Sequence, residues 1–306
     1  MNQAQIDALN RAFGIPNVVA VVVGNGGLPK IRVSAASASA EVYLHGAHVT
    51  SWQPANCEEV LFLSEKSGWE DGRAIRGGIP ICFPWFRAKA DDPSAPAHGF
   101  VRTKQWRLES VKTEGDSVVV LCSTESDEST QRWWPHSFRL LHRVTIGSTL
   151  RLQLMVKNTG RTPLLFEEAL HTYFRVSQPD KVRVRGLDQV KYLDNVDGNR
   201  TRIQSGDLMF AGKTDNAYVD VENAVELIDA GWHRSLRTEK ANSSTTVVWN
   251  PWEDGAAAIS DLGDEEFRDF ACVEASNILD SVVSLGPGQE HRMQALISIV
   301  ATDMQL

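Results

Sequence analysis

The sequence has 306 residues, of which 42% are hydrophobic and 23% charged, and its formal net charge at pH 7 is −8. A chain of this length and composition can bury a large core without disulfides or metals, and its negative charge argues against binding to nucleic acid or to an anionic membrane surface. No apolar run approaches the roughly 18 residues of a membrane helix, and the N-terminus lacks the features of a signal peptide, so we expect a cytoplasmic protein with reduced cysteines.

The predicted elements are one helix followed mainly by strands. Residues 3–13 show short helical patterning that Gly14 and Pro16 end. Beyond them the hydrophobic period is mostly two, which predicts strands at 118–122, 137–146, 149–157 and 292–300. Turn signals stand at 24–27, 197–199, 254–255 and 286–288. The pattern predicts a mainly β fold of two packed antiparallel sheets in a single domain over residues 1–306, with a segment 1–30 whose packing the pattern does not define.

Positive charge is concentrated between residues 73 and 107, where seven basic and two acidic residues give a local charge of +5. A solvated loop explains such a window on charge alone, but an acidic protein with one basic region is also suited to binding a small anion there. Arg76 precedes Gly77 and Gly78, which allow close backbone approach or positive φ. The nearby aromatic residues Phe83, Trp85 and Phe86 are of a kind that can line a pocket.

Ionisable side chains stand beside apolar runs at several further places. An extended conformation at residues 97–102 would place His98 and Arg102 on one face. Glu167 and His171 are four residues apart, and Glu274 follows an apolar run. Because buried ionisable groups cost stability unless they are paired, such residues often mark functional sites. A structural histidine or a solvent-facing glutamate explains each one taken singly.

The chain lacks the common cofactor motifs. It has no phosphate-binding G-x-x-x-x-G-K-[ST], no G-x-G-x-x-G, no H-E-x-x-H and no G-x-S-x-G. We therefore predict no metal and no cofactor. Cys82 and Cys272 fall beside the candidate site residues, but nearness alone does not make a thiol reactive.

Taken together, the segments resemble the galactose mutarotase-like superfamily and, more narrowly, the hexose-6-phosphate mutarotases, also called glucose-6-phosphate 1-epimerases. The most specific segments are Arg-Gly-Gly-Ile-Pro at 76–80, His-Gly-Phe-x-Arg at 98–102 and Leu-His-Thr-Tyr-Phe at 170–174. The other matching segments keep the family's order, at 46–52, 214–215, 248–251, 273–274 and 285–288. Some relatives carry Gln where this chain has Ala97.

The resemblance implies an antiparallel β-supersandwich that interconverts the α and β anomers of glucose 6-phosphate or a related phosphosugar without a cofactor. It implies a catalytic pair, His171 and Glu274. It implies substrate-binding roles for Arg76 and Arg102 on the phosphate side and for His98 and Asp215 elsewhere. The implied partner is a small phosphorylated hexose, and we expect a monomer.

The residue types suit this chemistry independently of the resemblance. Opening a hemiacetal ring needs a base for the O1 proton and an acid for the ring oxygen, roles for which Glu274 and a protonated His171 are suited. Three alternatives stay open: an aldose 1-epimerase for unphosphorylated sugars, a glycosidase that pairs Glu274 with Glu167 or Glu168, and a non-catalytic carbohydrate-binding module. The arginines favour the phosphorylated substrate, since guanidinium groups bind phosphate bidentately.

Overall fold

A computed structural model of the chain describes residues 1–301. Residues in strands, which all pair antiparallel, far outnumber helical residues in that length, so the predicted mainly β class is confirmed. Residues 1–301 contain three α-helices, namely α1 (Gln3–Phe13), α2 (Glu128–Gln131) and α3 (Trp252–Ala257). Within the described residues, no helix is both long and apolar enough to cross a membrane.

The strands of the described part of the chain form four sheets. The four-stranded sheet contains, in spatial order, β1 (Val19–Val23), β2 (Pro29–Ser34), β3 (Ala38–Tyr43) and β4 (His48–Pro54). The nine-stranded sheet contains, in spatial order, β16 (Leu208–Met209), β13 (Val182–Arg185), β18 (Val225–Asp229), β19 (Arg234–Ala241), β23 (Glu290–Ala301), β9 (Thr149–Asn158), β8 (Phe138–Ile146), β7 (Ser117–Glu125) and β6 (Arg107–Glu114).

The eight-stranded sheet contains, in spatial order, β15 (Arg200–Ile203), β14 (Lys191–Asp194), β17 (Thr214–Val219), β20 (Thr245–Asn250), β21 (Phe270–Asn277), β11 (Glu168–Leu170) and β5 (Ile81–Cys82), with β12 (Tyr173–Arg175) also paired to β21. The small sheet pairs β10 (Leu164–Phe166) with β22 (Val283–Leu285).

The N-terminal segment packs on the four-stranded sheet. Asn2 caps α1 by accepting a hydrogen bond from the Gln5 N–H, and Ile6 is buried. The side chain of Asn10 bonds both the N–H and the carbonyl of Val21, at 2.7 and 2.6 Å. Helix α1 ends at Phe13 with Gly14 as its cap, as the sequence predicts.

Strand β21 separates the main core from the site. All eight of its residues are buried. Ala271, Val273 and Ala275 join the large hydrophobic core that also contains the buried residues of β8 and β9. Because successive side chains on a strand point to opposite faces, Cys272 and Glu274 lie on the other face of the sheet. The alternation thus buries a carboxylate outside the main core.

Two local predictions are wrong. The signal Asp254-Gly255 falls inside α3 instead of forming a turn between strands, because the Asn250 side chain accepts the Trp252 N–H and starts a helical turn there. Residues 97–102 are not extended. His98 has φ 61°, and Val101–Thr103 forms a 3₁₀ turn, so His98 and Arg102 do not share a strand face.

Candidate active site

A pocket of about 320 Å³ opens on the face of the eight-stranded sheet that is turned away from the main core. Five of the six site residues predicted from the sequence line it, namely Arg76, His98, His171, Asp215 and Glu274. Phe86, one of the aromatic residues of the basic window, lines it as well. The lining residues that the sequence did not assign to the site are Arg87, Tyr173, Asn195, Val247, Trp249 and Ile259.

Strand register builds the pocket floor. Asp215 pairs with Trp249 between β17 and β20, and Val247 pairs with Glu274 between β20 and β21. Tyr173 on β12 pairs with Cys272, which is also opposite Trp249. Directly opposed residues of antiparallel strands project from the same face, so these side chains form one continuous surface.

Two glycines bring Arg76 to the wall of this pocket. Gly77 has φ 105° and Gly78 has φ 62°, conformations that favour glycine. A Cβ at Gly78 would lie 2.4 Å from the carbonyl oxygen of Val49. The expectation that both positions need positive φ or close approach is therefore confirmed. The buried ring of His48 also contacts this turn, with its Nε2 at 2.7 Å from the Gly77 carbonyl oxygen.

His171 and Glu274 lie side by side and are both almost fully buried. The Nε2 of His171 is 3.3 Å from Oε1 of Glu274. Neither carboxylate oxygen of Glu274, nor Nδ1 of His171, has a hydrogen-bond partner among the described residues. A carboxyl group in a pocket without a hydrogen bond is available to a ligand, and its burial in that state costs stability.

The surroundings favour the neutral form of each group. Burial, reinforced by the negative charge of Asp215, raises the pKa of Glu274 well above its ordinary value. Burial, together with the positive charges of Arg102 and Arg76, lowers the pKa of His171 well below its ordinary value. Neutral Glu274 with neutral His171 holds one proton, the same number as a carboxylate with an imidazolium. The pair therefore stores a single proton that can reside on either member.

Tyr173 connects this pair to Arg76. Its ring stacks on the ring of His171, with centroids 4.7 Å apart and an angle of 11° between the planes. Its hydroxyl accepts a hydrogen bond from Nη1 of Arg76 at 3.0 Å. Arg76 also donates from Nε to Asp261 at 3.1 Å. These contacts fix the guanidinium of Arg76 beside the catalytic candidates.

His98 is held as a neutral ring. Its Nδ1 accepts the backbone N–H of Arg87 at 3.2 Å, so its remaining proton is on Nε2. Burial, with the nearby charge of Arg102, lowers the pKa of His98 well below its ordinary value. The ring packs edge-to-face against His171, with centroids 5.7 Å apart. His98 thus offers an N–H donor to a ligand.

Arg102 is the one predicted site residue that does not line the pocket. Its Nη2 donates to the carbonyl oxygen of Ala97 at 2.8 Å, and its buried Nε has no partner in the described part of the chain. No carboxylate oxygen of residues 1–301 lies within ion-pair distance of it. Its positive charge, which lowers the pKa of His171, is therefore uncompensated.

Asp215 is bound on both oxygens by residues that sequence reasoning missed. Nη2 of Arg87 donates to Oδ1 at 2.7 Å, and Nδ2 of Asn195 donates to Oδ2 at 2.5 Å. Arg87 belongs to the basic window and follows the aromatic run, so its charge and place in the sequence were the signals available. Asn195 comes from a loop distant in sequence and left no such signal.

The neighbouring carboxylates have structural contacts outside the pocket. Glu167 accepts the backbone N–H groups of Phe86 and Leu279, both at 2.8 Å. Glu168 is fully buried, and its Oε1 accepts hydrogen bonds from Asn277 at 2.8 Å and His291 at 2.7 Å. Neither lines the pocket with Glu274, so the carboxylate pair of the glycosidase alternative is not assembled there.

Cys82 and Cys272 are fully buried thiols. Burial raises the pKa of each above its ordinary value, which disfavours the nucleophilic thiolate. Both therefore act as small apolar packing residues.

The sequence profile of the aldose 1-epimerase family matches residues 29–298, which is most of the chain. The chain belongs to the aldose 1-epimerase family. The family resemblance inferred from the motifs is confirmed by this match.

Within the family, the chain is similar to proteins that are named for a phosphorylated sugar. The chain is 35% identical to a protein of Cenchrus ciliaris named "Putative glucose-6-phosphate 1-epimerase", over 90% of this chain and 85% of the relative. It is 34% identical to a protein of the same name from Escherichia coli K12, over 81% of this chain and 83% of that protein.

Solved structures confirm the fold. A crystal structure from Salmonella typhimurium, described as a "putative mutarotase", superposes with a TM-score of 0.88 at 28% identity, over 97% of this chain and all of that one. A galactose mutarotase-like protein of Clostridium acetobutylicum gives a TM-score of 0.72 at 16% identity, over 93% and 98% of the two chains. The predicted galactose mutarotase-like supersandwich is therefore confirmed.

Proposed function

We propose that this family member is a hexose-6-phosphate mutarotase, an isomerase that interconverts the α and β anomers of glucose 6-phosphate or a related phosphosugar. The observation that carries the proposal is the Glu274 carboxyl group, which has no hydrogen-bond partner among the described residues and lies 3.3 Å from Nε2 of His171, in a pocket that Arg76 lines. The names of the Cenchrus ciliaris and Escherichia coli relatives support the same substrate.

In the proposed reaction, Glu274 takes the proton from O1 while His171 gives a proton to the ring oxygen. The C1–O5 bond breaks, and its electron pair goes to O5 as C1 and O1 form the aldehyde double bond. The aldehyde turns about C1–C2, and the reverse transfers close the ring on the other face. Each positioned proton transfer contributes typically ~10²–10⁴-fold to the rate.

The reaction needs a carboxylate at Glu274 and a protonated His171. With the pocket empty, burial favours the proton on Glu274. The positive charges of Arg102 and Arg76 lower the pKa of His171, and that of Arg102 also lowers the pKa of Glu274. A substrate phosphate beside these arginines would offset their effect on His171 and so raise its pKa.

The phosphate side of the site is proposed to include Arg102 as well as Arg76. Arg102 carries an uncompensated charge and an unpartnered buried Nε, both of which an anion would satisfy. His98 and Asp215 would contact the sugar. An aldose 1-epimerase for unphosphorylated sugars would use the same acid and base but would gain nothing from these guanidinium groups.

The test is polarimetry on freshly dissolved α-glucose 6-phosphate and, separately, α-glucose. We expect the protein to accelerate mutarotation of the phosphorylated sugar far more than that of glucose. Equal acceleration of both would favour the neutral-sugar epimerase, and no acceleration of either would favour a binding module.

Location and assembly stay predictions from composition. We propose that the protein is a cytoplasmic monomer. We also propose that it binds neither nucleic acid nor anionic membranes, since its net charge is −8. Light scattering after size exclusion would check the monomer, which has an expected mass of 33.9 kDa.

A further inference from the structure

Two arginines line the pocket, and they approach it from opposite sides. Arg76 bonds Tyr173, while Arg87 bonds Asp215. Tyr173 and Asp215 occupy matching register positions on β12 and β17, with β21 and β20 between them. At ~4.8 Å per strand, the two anchoring residues are about 14 Å apart. A ligand phosphate at Arg76 therefore leaves Arg87 facing the far end of the sugar.

The backbone of Arg87 is fixed in place. It has φ 62°, a conformation that favours glycine. Its N–H donates to Nδ1 of His98, and its carbonyl oxygen accepts the N–H of His98 at 2.7 Å. The preceding residue, Phe86, is held by the carboxylate of Glu167. The side chain of Arg87 therefore starts from a rigid position on the pocket wall.

The side chains of Arg87 and Asp215 form a matched donor and acceptor at this wall. One guanidinium nitrogen of Arg87 contacts one carboxylate oxygen of Asp215, and Asn195 holds the other oxygen. A guanidinium has five N–H donors and a carboxylate about four acceptor sites, so both groups retain capacity for a ligand. Two neighbouring hydroxyl groups of a sugar, each able to donate and accept, match such a pair.

We infer that Arg87, together with Asp215, forms hydrogen bonds to the sugar hydroxyl groups that depend on their configuration. These bonds determine which hexose 6-phosphate the enzyme prefers. This inference rests on the proposed function, which places the phosphate at Arg76. An epimer whose hydroxyl points away leaves a charged group of the pocket without its hydrogen bond, and sites built in this way discriminate strongly.

The experiment measures kcat and KM for anomer exchange with glucose 6-phosphate and with its C2 and C4 epimers. The variants are Arg87→Ala and Arg87→Gly. The glycine variant is included because glycine adopts φ 62° without strain, so it should fold even if the alanine variant does not. Arg87→Lys keeps the charge without the forked geometry. Arg161→Ala, an exposed arginine outside the pocket, controls for the loss of one positive charge.

We expect the wild type to prefer one sugar by roughly 10-fold or more in kcat/KM. Arg87→Ala and Arg87→Gly should reduce that preference to about 3-fold or less, mainly by raising KM for the preferred sugar, with Arg87→Lys between them and Arg161→Ala like the wild type. A wild type inactive on every hexose 6-phosphate would overturn the proposed function and this inference with it. An active wild type that treats the epimers alike, or whose preference persists in both small variants, would overturn this inference alone.

Discussion

Glu274 combines a catalytic role, as proposed, with a cost to stability. Its carboxyl group is buried without a hydrogen-bond partner among the described residues, and its pKa is raised mainly by burial. A raised pKa in the folded protein means that stability is fully present below the unfolded pKa and is lost as pH rises through the folded one. Glu274 therefore destabilises the fold increasingly toward alkaline pH.

Glu274→Gln should consequently fold, melt at a higher temperature than the wild type, and lose most anomerisation activity. The difference in melting temperature should grow as pH is raised from 5 to about 9, because only the wild type gains a buried charge. Thermal denaturation at several pH values measures this difference. A gap that stays constant over this pH range would show that Glu274 is already ionised in the folded protein.

Arg76→Ala and Arg102→Ala should each raise KM for glucose 6-phosphate by roughly one to two orders of magnitude and affect free glucose far less. Each removes a charged hydrogen-bond donor available to the phosphate. Steady-state kinetics on both sugars would measure the effect, with Arg161→Ala as the control and circular dichroism to verify folding. If a variant raised KM equally for glucose and glucose 6-phosphate, the arginine it replaces would not bind the phosphate.

Individual site residues differed in how far the sequence predicted them. Arg76, His98, His171, Asp215 and Glu274 were named from motifs and line one pocket. The contacts that position them were not predictable, because they depend on strand register between distant segments. Tyr173 stacks on His171 of the same motif, yet nothing in the residue pattern shows that its hydroxyl contacts Arg76.

At the scale of elements, the carboxylate of Glu167 connects its own segment between two strands with two other segments of the chain. It follows β10 and precedes β11, and it accepts an N–H from the pocket wall at Phe86 and another at Leu279 beyond β21. From the sequence, Glu167 was a candidate site residue four residues from His171 and a possible partner of Glu274 in the glycosidase alternative. Its contacts instead make it a structural link between the wall and the floor of the site.

Glu167→Gln should lower the free energy of unfolding by about 1–3 kcal/mol, since an amide can accept only one of the two N–H bonds and must turn its own donors toward the other. Urea denaturation would measure the change. Glu290→Gln is a matched control, because Glu290 forms an exposed ion pair with Lys157. Similar changes in the two variants would show that Glu167 makes no special contribution.

Strands with strict alternation were the elements that the sequence predicted best. β8 and β9 begin and end within one residue of the predicted ranges, because alternate residues are buried along both. The extended conformation predicted for residues 97–102 was wrong. His98 and Gly99 have positive φ, and a Cβ at Gly99 would lie 1.8 Å from the carbonyl oxygen of Phe83, a close contact with a distant segment that local patterning does not encode.

For the whole molecule, one hydrophobic core extends from Ile6 near the N-terminus to Ile297 in the last strand. We propose that residues 1–306 form a single domain, as the sequence predicts. Urea unfolding should then give coincident transitions by far-ultraviolet circular dichroism and tryptophan fluorescence. Two separated transitions would divide the chain into independently stable parts.

The fold class and most of the residues that line the pocket were predictable because they depend on patterns local in sequence, whereas the shape of the pocket depends on which strands are neighbours. The eight-stranded sheet brings together segments around residues 82, 169, 215, 249 and 274 in an order that differs from their order in the chain. Alternation predicts that a residue faces out of a sheet, but only the topology shows which other residues share that face.

The central claim is that the Glu274–His171 pair interconverts the anomers of a hexose 6-phosphate. Two-dimensional exchange NMR on an equilibrium mixture of glucose 6-phosphate tests it most directly, because exchange between the C1 protons of the two anomers is observed without any coupled reaction. We expect exchange peaks with the wild type and none above the uncatalysed level with folded Glu274→Gln at the same concentration. Exchange of equal rate with the variant would contradict the claim.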